Sequence, residues 1–166
     1  MNKKAMRLAV AGLGTVGSGV LKLLDKNEDL ITKKTNKKFE VVAVCAKNPH
    51  KSREVNLGGI EWVENPLTLA ERNDIDVIVE VIGGSSNPAK ALVEKALQNG
   101  KHIVTANKAL LAKHGHSLAL LAEENRLALK FEAAVAGGIP IIKALTEGLS
   151  SNRIQRVAGV LNGTCN

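Results

Sequence analysis

Leu8-Ala9-Val10-Ala11-Gly12-Leu13-Gly14-Thr15-Val16-Gly17 is an apolar run that breaks into three glycines. A short continuous apolar run is how a strand buried on both faces reads. The spacing of Gly12, Gly14 and Gly17 gives each glycine a task. Gly12 permits a tight turn, Gly14 lets backbone approach a diphosphate, and Gly17 lets the following helix pack close to the strand. The diphosphate then rests on the free N–H groups and the positive end of that helix. The stretch predicts the strand–turn–helix opening of a dinucleotide-binding fold. A lone G-x-G-x-x-G is weak evidence; its place between a strand and a helix, within a strand–helix–strand unit, gives it weight.

Outward from this stretch, strands and helices alternate, which predicts a doubly wound, Rossmann-type α/β fold with helices on both faces of a parallel sheet. Strands are expected at 7–11, 39–46, 60–63, 76–82, 102–106, 127–134 and 154–161. The first helix spans 15–26, with Val16, Val20, Leu23 and Leu24 on one face. A polar loop is expected from its end to Lys38. Asn65-Pro66 and Asn87-Pro88 each read as a cap followed by a helix-starting proline. Asn107 opens a helix through Lys113, Gly115 interrupts it, and a second piece runs to Asn125. Gly137-Gly138-Ile139-Pro140 leads into a helix ending near Leu149. The expected division is a dinucleotide-binding domain over 1–134. Residues 135–166 then form a hinge and the start of a second, α+β domain. A last strand running into Asn162-Gly163 has no successor, so the chain reads as part of a longer protein.

Composition narrows the classes. With 166 residues, 45% hydrophobic and 23% charged, the chain has the balance of a globular domain. No apolar run approaches the roughly 20 residues of a membrane span, and no membrane partner is expected. Cys45 and Cys165 fit no metal or redox spacing, and reduced thiols point to the cytoplasm. The basic excess is uneven: through Ile60 there are 12 Lys+Arg against 5 Asp+Glu, and beyond it 11 of each. That pattern suits attraction of a phosphate-bearing ligand or a solvated lysine-rich loop at Lys33–Lys38. Nucleic acid is not an expected partner, because 2% aromatic residues and no tyrosine leave little for bases to stack on.

Four places can carry chemistry. The second strand ends Val44-Cys45-Ala46-Lys47 with Arg53 beyond. NAD selection usually puts an acid there for the ribose hydroxyl; a cation instead favours NADP over NAD. Gly83-Gly84 ends the next buried strand, where backbone passes the nicotinamide ribose or simply turns. Lys108 follows a strand end on the same rim; an ammonium there polarises a carbonyl accepting hydride, or is solvated. In Glu132-Ala133-Ala134-Val135-Ala136-Gly137-Gly138-Ile139-Pro140, one carboxylate and freed carbonyls suit a hard cation or a domain hinge. The pair His114 and His116 has no flanking acid or cysteine and reads as surface.

Taken together these segments resemble the homoserine dehydrogenase family. The resemblance rests on Gly12–Gly17, Glu80-Val81-Ile82-Gly83-Gly84, Val104-Thr105-Ala106-Asn107-Lys108, Phe131–Ile142 and Gly159-Val160-Leu161-Asn162-Gly163-Thr164-Cys165-Asn166. It implies an NADH- or NADPH-dependent interconversion of L-aspartate 4-semialdehyde and L-homoserine, on the route to threonine and methionine. By resemblance Leu13, Thr15 and Val16 join the glycines around the pyrophosphate, and Lys108 stands between cofactor and substrate. Glu132 with the carbonyls of Val135, Gly137 and Ile139 corresponds to a sodium site. Gly163 and Thr164 lie near the nicotinamide. The family's substrate glutamate, its second lysine and most of its dimer-forming sheet lie beyond the last motif. The resemblance therefore implies cofactor binding without efficient turnover by this stretch alone, and a homo-oligomeric parent. A related amino-acid dehydrogenase, such as aspartate dehydrogenase, and a non-catalytic cofactor-sensing module are the alternative expectations.

Overall fold

The computed structural model describes residues 5–159. Its elements are β1 (Met6–Ala11), α1 (Thr15–Lys26), α2 (Glu28–Thr35), β2 (Phe39–Cys45), β3 (Glu61–Val63), α3 (Pro66–Glu71) and β4 (Val77–Glu80). They continue with α4 (Ala89–Gln98), β5 (His102–Thr105), α5 (Lys108–Glu124), β6 (Leu129–Lys130) and α6 (Ile141–Lys143), which runs on into a π-helical turn at Ala144–Gly148. The strands form one sheet in the order β3-β2-β1-β4-β5-β6, with every neighbouring pair parallel. From β1 the chain winds outward to β3, then crosses back to place β4 against the other side of β1. A crevice opens at such a reversal, above the carboxyl ends of the strands.

The apolar strands are buried on both faces because helices cover both. On one face Ala9, Ala43, Ile78 and Ile103 pack against Leu92, Val93, Ala96 and Leu97 of α4 and Leu110, Leu118 and Ala122 of α5. On the other face, Val44, Val10 and Val79 lie under α1 with Leu13 and Leu21. Val104 continues that second row on β5 but is 40% exposed, since no described helix covers it. Full burial of a leucine or isoleucine side chain contributes about 1.5–3 kcal/mol, so these layers hold the sheet.

Several local expectations give way to other physics. The buried face of α1 runs through Gly17 and Leu21, while Val16 and Leu23 are exposed. The polar stretch before Lys38 is the helix α2, with no buried residue. It starts with Glu28 and Asp29 and ends with Lys33 and Lys34, the placement that complements a helix dipole. Gly115 does not break α5, which is continuous. Asn65 caps α3 by accepting from Leu67 N–H at 3.0 Å, but α4 starts after Pro88 without a side-chain cap. The strand expected at 127–134 shrinks to Leu129–Lys130, followed by a 3₁₀ turn at Glu132–Ala134. The strand expected at 154–161 is absent from its described part, residues 154–159: these are exposed and unpaired by any sheet neighbour, and a strand without a partner has nowhere to place its backbone hydrogen bonds.

Cys45, at the end of β2, is a buried free thiol. Its Sγ lies 3.5 Å from the Glu64 carbonyl, and burial pushes its pKa up. Its own carbonyl accepts the N–H of Gly12 at 2.8 Å, tying β2 to the glycine turn.

Candidate functional site

The crevice at the strand reversal is built by close backbone contacts. Gly12 has φ +106°, and a Cβ placed on it would lie 2.4 Å from the Val81 carbonyl oxygen. A Cβ on Gly17 would lie 1.9 Å from the Gly12 carbonyl oxygen. The turn therefore presses against the chain leaving β4, and α1 presses against the turn, with no room for side chains. Gly14 differs: nothing lies within 4 Å of where its Cβ would stand. It is the N-cap of α1, no side chain caps that end, and no acid sits in the first turn. Thr15 and Val16 open the helix exposed, with Val16 at 54%, while Leu13 is buried beneath. An uncapped helix start beside open space is what a diphosphate needs. The residues present fit the dinucleotide.

Past the end of β2, Lys47 is exposed. Arg53 is already engaged. Its Nε donates to the Leu13 carbonyl (3.2 Å), Nη1 to Lys51 (2.8 Å) and Nη2 to Asn48 (2.7 Å). The guanidinium also stacks over the Trp62 ring, 5.1 Å from its centroid. Arg53 thus fastens the loop after β2 to the glycine turn, and Lys47 is the cation left at the strand end.

On the other side of the crevice, Gly83 and Gly84 leave β4 with φ of +86° and +81°. Lys108 is the first residue of α5 and is exposed. Asn107 joins the two: its Nδ2 donates to the Gly84 carbonyl at 2.8 Å, and its Oδ1 caps α5 by accepting from Leu110 N–H at 3.1 Å. The residue-type pattern alone did not single out Glu80 or Thr105, and it offered Arg53 as a cation beyond β2, where the structure gives it a tie to the glycine turn instead. For Glu80 a signal existed: a carboxylate between Val77-Ile78-Val79 and Val81-Ile82 must find donors.

Glu132 sits in the 3₁₀ turn. Its Oε1 accepts from Ile142 N–H (3.0 Å) and its Oε2 from Lys143 N–H (2.8 Å), so it caps α6 from a distance in sequence. The Ile139 carbonyl accepts from Ile141 N–H at 2.8 Å. Val135 is partly buried, and Gly137 and Ile139 are exposed. Among the described residues no group of three or more His, Cys, Asp or Glu gathers for a metal. A single carboxylate with backbone carbonyls is a different donor set, and each Glu132 oxygen keeps a lone pair beyond its N–H donor. Gly163 and Thr164 lie outside the described residues. A cleft of about 470 Å³ lies elsewhere, between the second half of α1 and the connection from β2 to β3. It opens toward the amino end of β2 and shares none of the residues above.

Known proteins place this geometry. The family model for the NAD binding domain of homoserine dehydrogenase matches residues 12–132, and that for homoserine dehydrogenase itself matches residues 140–166. The chain is 46% identical over 163 residues to a homoserine dehydrogenase of Neisseria gonorrhoeae and 43% identical to one of Bacillus subtilis. Each match covers 98% of this chain but 37% of the relative. A solved homoserine dehydrogenase from Thiobacillus denitrificans superposes with a TM-score of 0.83 at 45% identity, covering 90% of this chain and 34% of that one. One from S. aureus gives 0.74 at 41% identity, over 80% and 34%. The chain thus spans little more than a third of its curated relatives. No described helix is long and apolar enough to cross a membrane. By the match of its glycine turn, both sheet halves and the rim between them, the chain belongs to the homoserine dehydrogenase family, in its nicotinamide-dinucleotide-binding part.

Proposed function

We propose that this chain forms the cofactor-binding part of an enzyme that interconverts L-aspartate 4-semialdehyde and L-homoserine with NADPH or NADH. The crevice between Gly12, the chain leaving β4 and the start of α5 carries this reading, together with the family match over residues 12–132. The nicotinamide supplies hydride exchange with the substrate carbonyl when bound. The uncapped start of α1 holds the diphosphate, with Leu13, Thr15 and Val16 beside the glycines. Lys108 donates to the carbonyl oxygen where negative charge develops. Lys47 meets a 2′-phosphate, which favours NADPH over NADH. Glu132 with the carbonyls of Val135, Gly137 and Ile139 holds a sodium ion that braces the passage to the substrate domain, and the family models change over at this same segment. The division proposed is 1–134 for the dinucleotide-binding domain and 135–166 for the hinge and the start of the substrate domain. The small-molecule substrate and a homo-oligomeric assembly belong to the full-length protein.

The test is titration of the full-length protein with NADPH and NADH, then assay with the semialdehyde. Binding of either cofactor, tighter for NADPH, and reduction of the aldehyde are expected. No binding of either at millimolar concentration overturns the reading. Lys108→Ala in the same protein is expected to lower kcat by about 10²-fold, the scale of losing one oxyanion donor; unchanged kcat and KM remove Lys108 from the chemistry.

A further inference from the structure

Glu80 is the last residue of β4, it is 0% exposed, and it makes no ion pair among the described residues. A carboxylate without a cation inside an apolar sheet is costly unless donors surround it. Here four donors do. Its Oε1 accepts from the N–H of Ile82 (2.9 Å), the N–H of Gly83 (3.4 Å) and Asn107 Nδ2 (3.3 Å). Its Oε2 accepts from Thr105 Oγ1 at 2.6 Å. The Thr105 hydroxyl in turn accepts from Asn107 N–H at 3.0 Å. Every donor belongs to one of two pieces of chain, the turn leaving β4 and the end of β5 with the turn that follows it. Asn107 closes the circuit through the Gly84 carbonyl and the first turn of α5.

A valine at this place would continue the apolar run at lower cost to the core. The strand ladder pairs β4 with β5 only as far as Glu80 and Thr105; beyond it the carboxylate adds a side-chain tie between the two turns, beside the bond from Asn107 to the Gly84 carbonyl. Gly83-Gly84 is exposed with positive φ at both residues, and Lys108 is exposed one residue beyond Asn107. Each needs an anchor below it to hold one geometry, and Glu80 is that anchor for both.

We propose that Glu80 is a positioning residue for the hydride-transfer reaction. Its buried carboxylate locks the Gly83-Gly84 turn to the start of α5, so that the nicotinamide end of the cofactor and Lys108 meet in one frame. The proposal rests on the functional reading above. It predicts that the adenosine half of the cofactor, held by the glycine turn and α1, does not depend on Glu80.

The experiment uses the full-length enzyme and a probe that lacks nicotinamide: ADP-ribose, or its 2′-phosphate if NADPH is the preferred cofactor. If the wild type binds neither probe nor cofactor, the functional reading fails and Glu80 is not at issue. Given wild-type binding, Glu80→Gln is expected to leave the probe's Kd within about twofold, as for independent sites. The same variant binds whole cofactor more weakly and loses about 10²-fold in kcat, the scale of a reacting group misplaced by an ångström. Thr105→Val, which removes the Oε2 donor and the acceptor of the Asn107 N–H but leaves the Oε1 donors in place, is expected to give the same pattern at smaller amplitude and carries the test if Glu80→Gln does not fold. Wild-type kcat in a folded variant overturns the proposal. So does a parallel loss of probe and cofactor binding, which marks a general structural role.

Discussion

A methyl group on Gly12 would stand 2.4 Å from the Val81 oxygen at a φ of +106° that side chains rarely adopt, whereas one on Gly14 would meet nothing within 4 Å. The two glycines therefore answer to different constraints, and substitution separates them. Gly12→Ala is expected to cost about 2 kcal/mol or more of stability, since strain and clash add. Gly14→Ala is expected to leave the melting temperature nearly unchanged, within about 0.5 kcal/mol, while weakening cofactor binding because the methyl fills the diphosphate's approach. Thermal unfolding and a cofactor titration on both variants check this. A Gly14→Ala variant that binds cofactor like wild type would remove the diphosphate from that position. The glycine spacing was legible in the sequence because only glycine satisfies such contacts. The partners of Glu80 were not, because Thr105 and Asn107 lie 25 and 27 residues away along the chain.

At the scale of elements, local signals decided less than neighbours did. Gly115 reads as a helix break, yet α5 runs through it, because the cost of one glycine, about 1 kcal/mol against alanine, is small beside the burial of Leu110, Leu118 and Ala122. Its Cβ direction meets only Leu111 atoms, at 3.7 and 3.8 Å. Gly115→Ala is accordingly expected to raise stability by about 0.5–1 kcal/mol, measured by urea unfolding. Helix α2 lacks a sequence signal for the opposite reason: it buries nothing, so no apolar stripe announces it. The connection from α3 to β4 is fastened to β3 by charge. Arg72 pairs with Asp74 at 2.7 Å and with Glu61 at 2.5 Å, and its guanidinium holds the Asp74 carboxyl below its ordinary 3.8. A carboxylate lowered on folding contributes stability above its unfolded pKa and loses it as pH falls through the folded one. Wild type is therefore expected to lose stability more steeply than Asp74→Asn on acidification below about pH 3.8. Parallel acid limbs for the two proteins would deny the ion pair any share.

For the whole molecule, the order 3-2-1-4-5-6 brings pieces that are far apart in sequence to one crevice: Gly12 at its floor, Gly83-Gly84 and Lys108 on its rim. The alternation of apolar runs and helical segments was enough to read the doubly wound parallel class, since parallel strands with covering helices have few ways to wind; the order itself comes from the structure. What the sequence left open is where polar groups bind one another across the rim. Beyond Lys130 the apolar pattern misleads, because it continues the strand to 134 where Glu132 instead turns to cap α6.

The shielded sulfur of Cys45 makes the molecule its own reporter. An alkylating reagent reaches that atom only when β2 lifts from the core, so the rate of modification counts openings. Because the Cys45 carbonyl is tethered to the Gly12 N–H, anything clasped by the elbow also keeps that hatch shut. In a Cys165→Ser background, cofactor at one hundred times its Kd is expected to slow labelling about 100-fold, the mass-action protection of a site that exists only when closed. An unchanged rate would mean that β2 opens with the dinucleotide still in place.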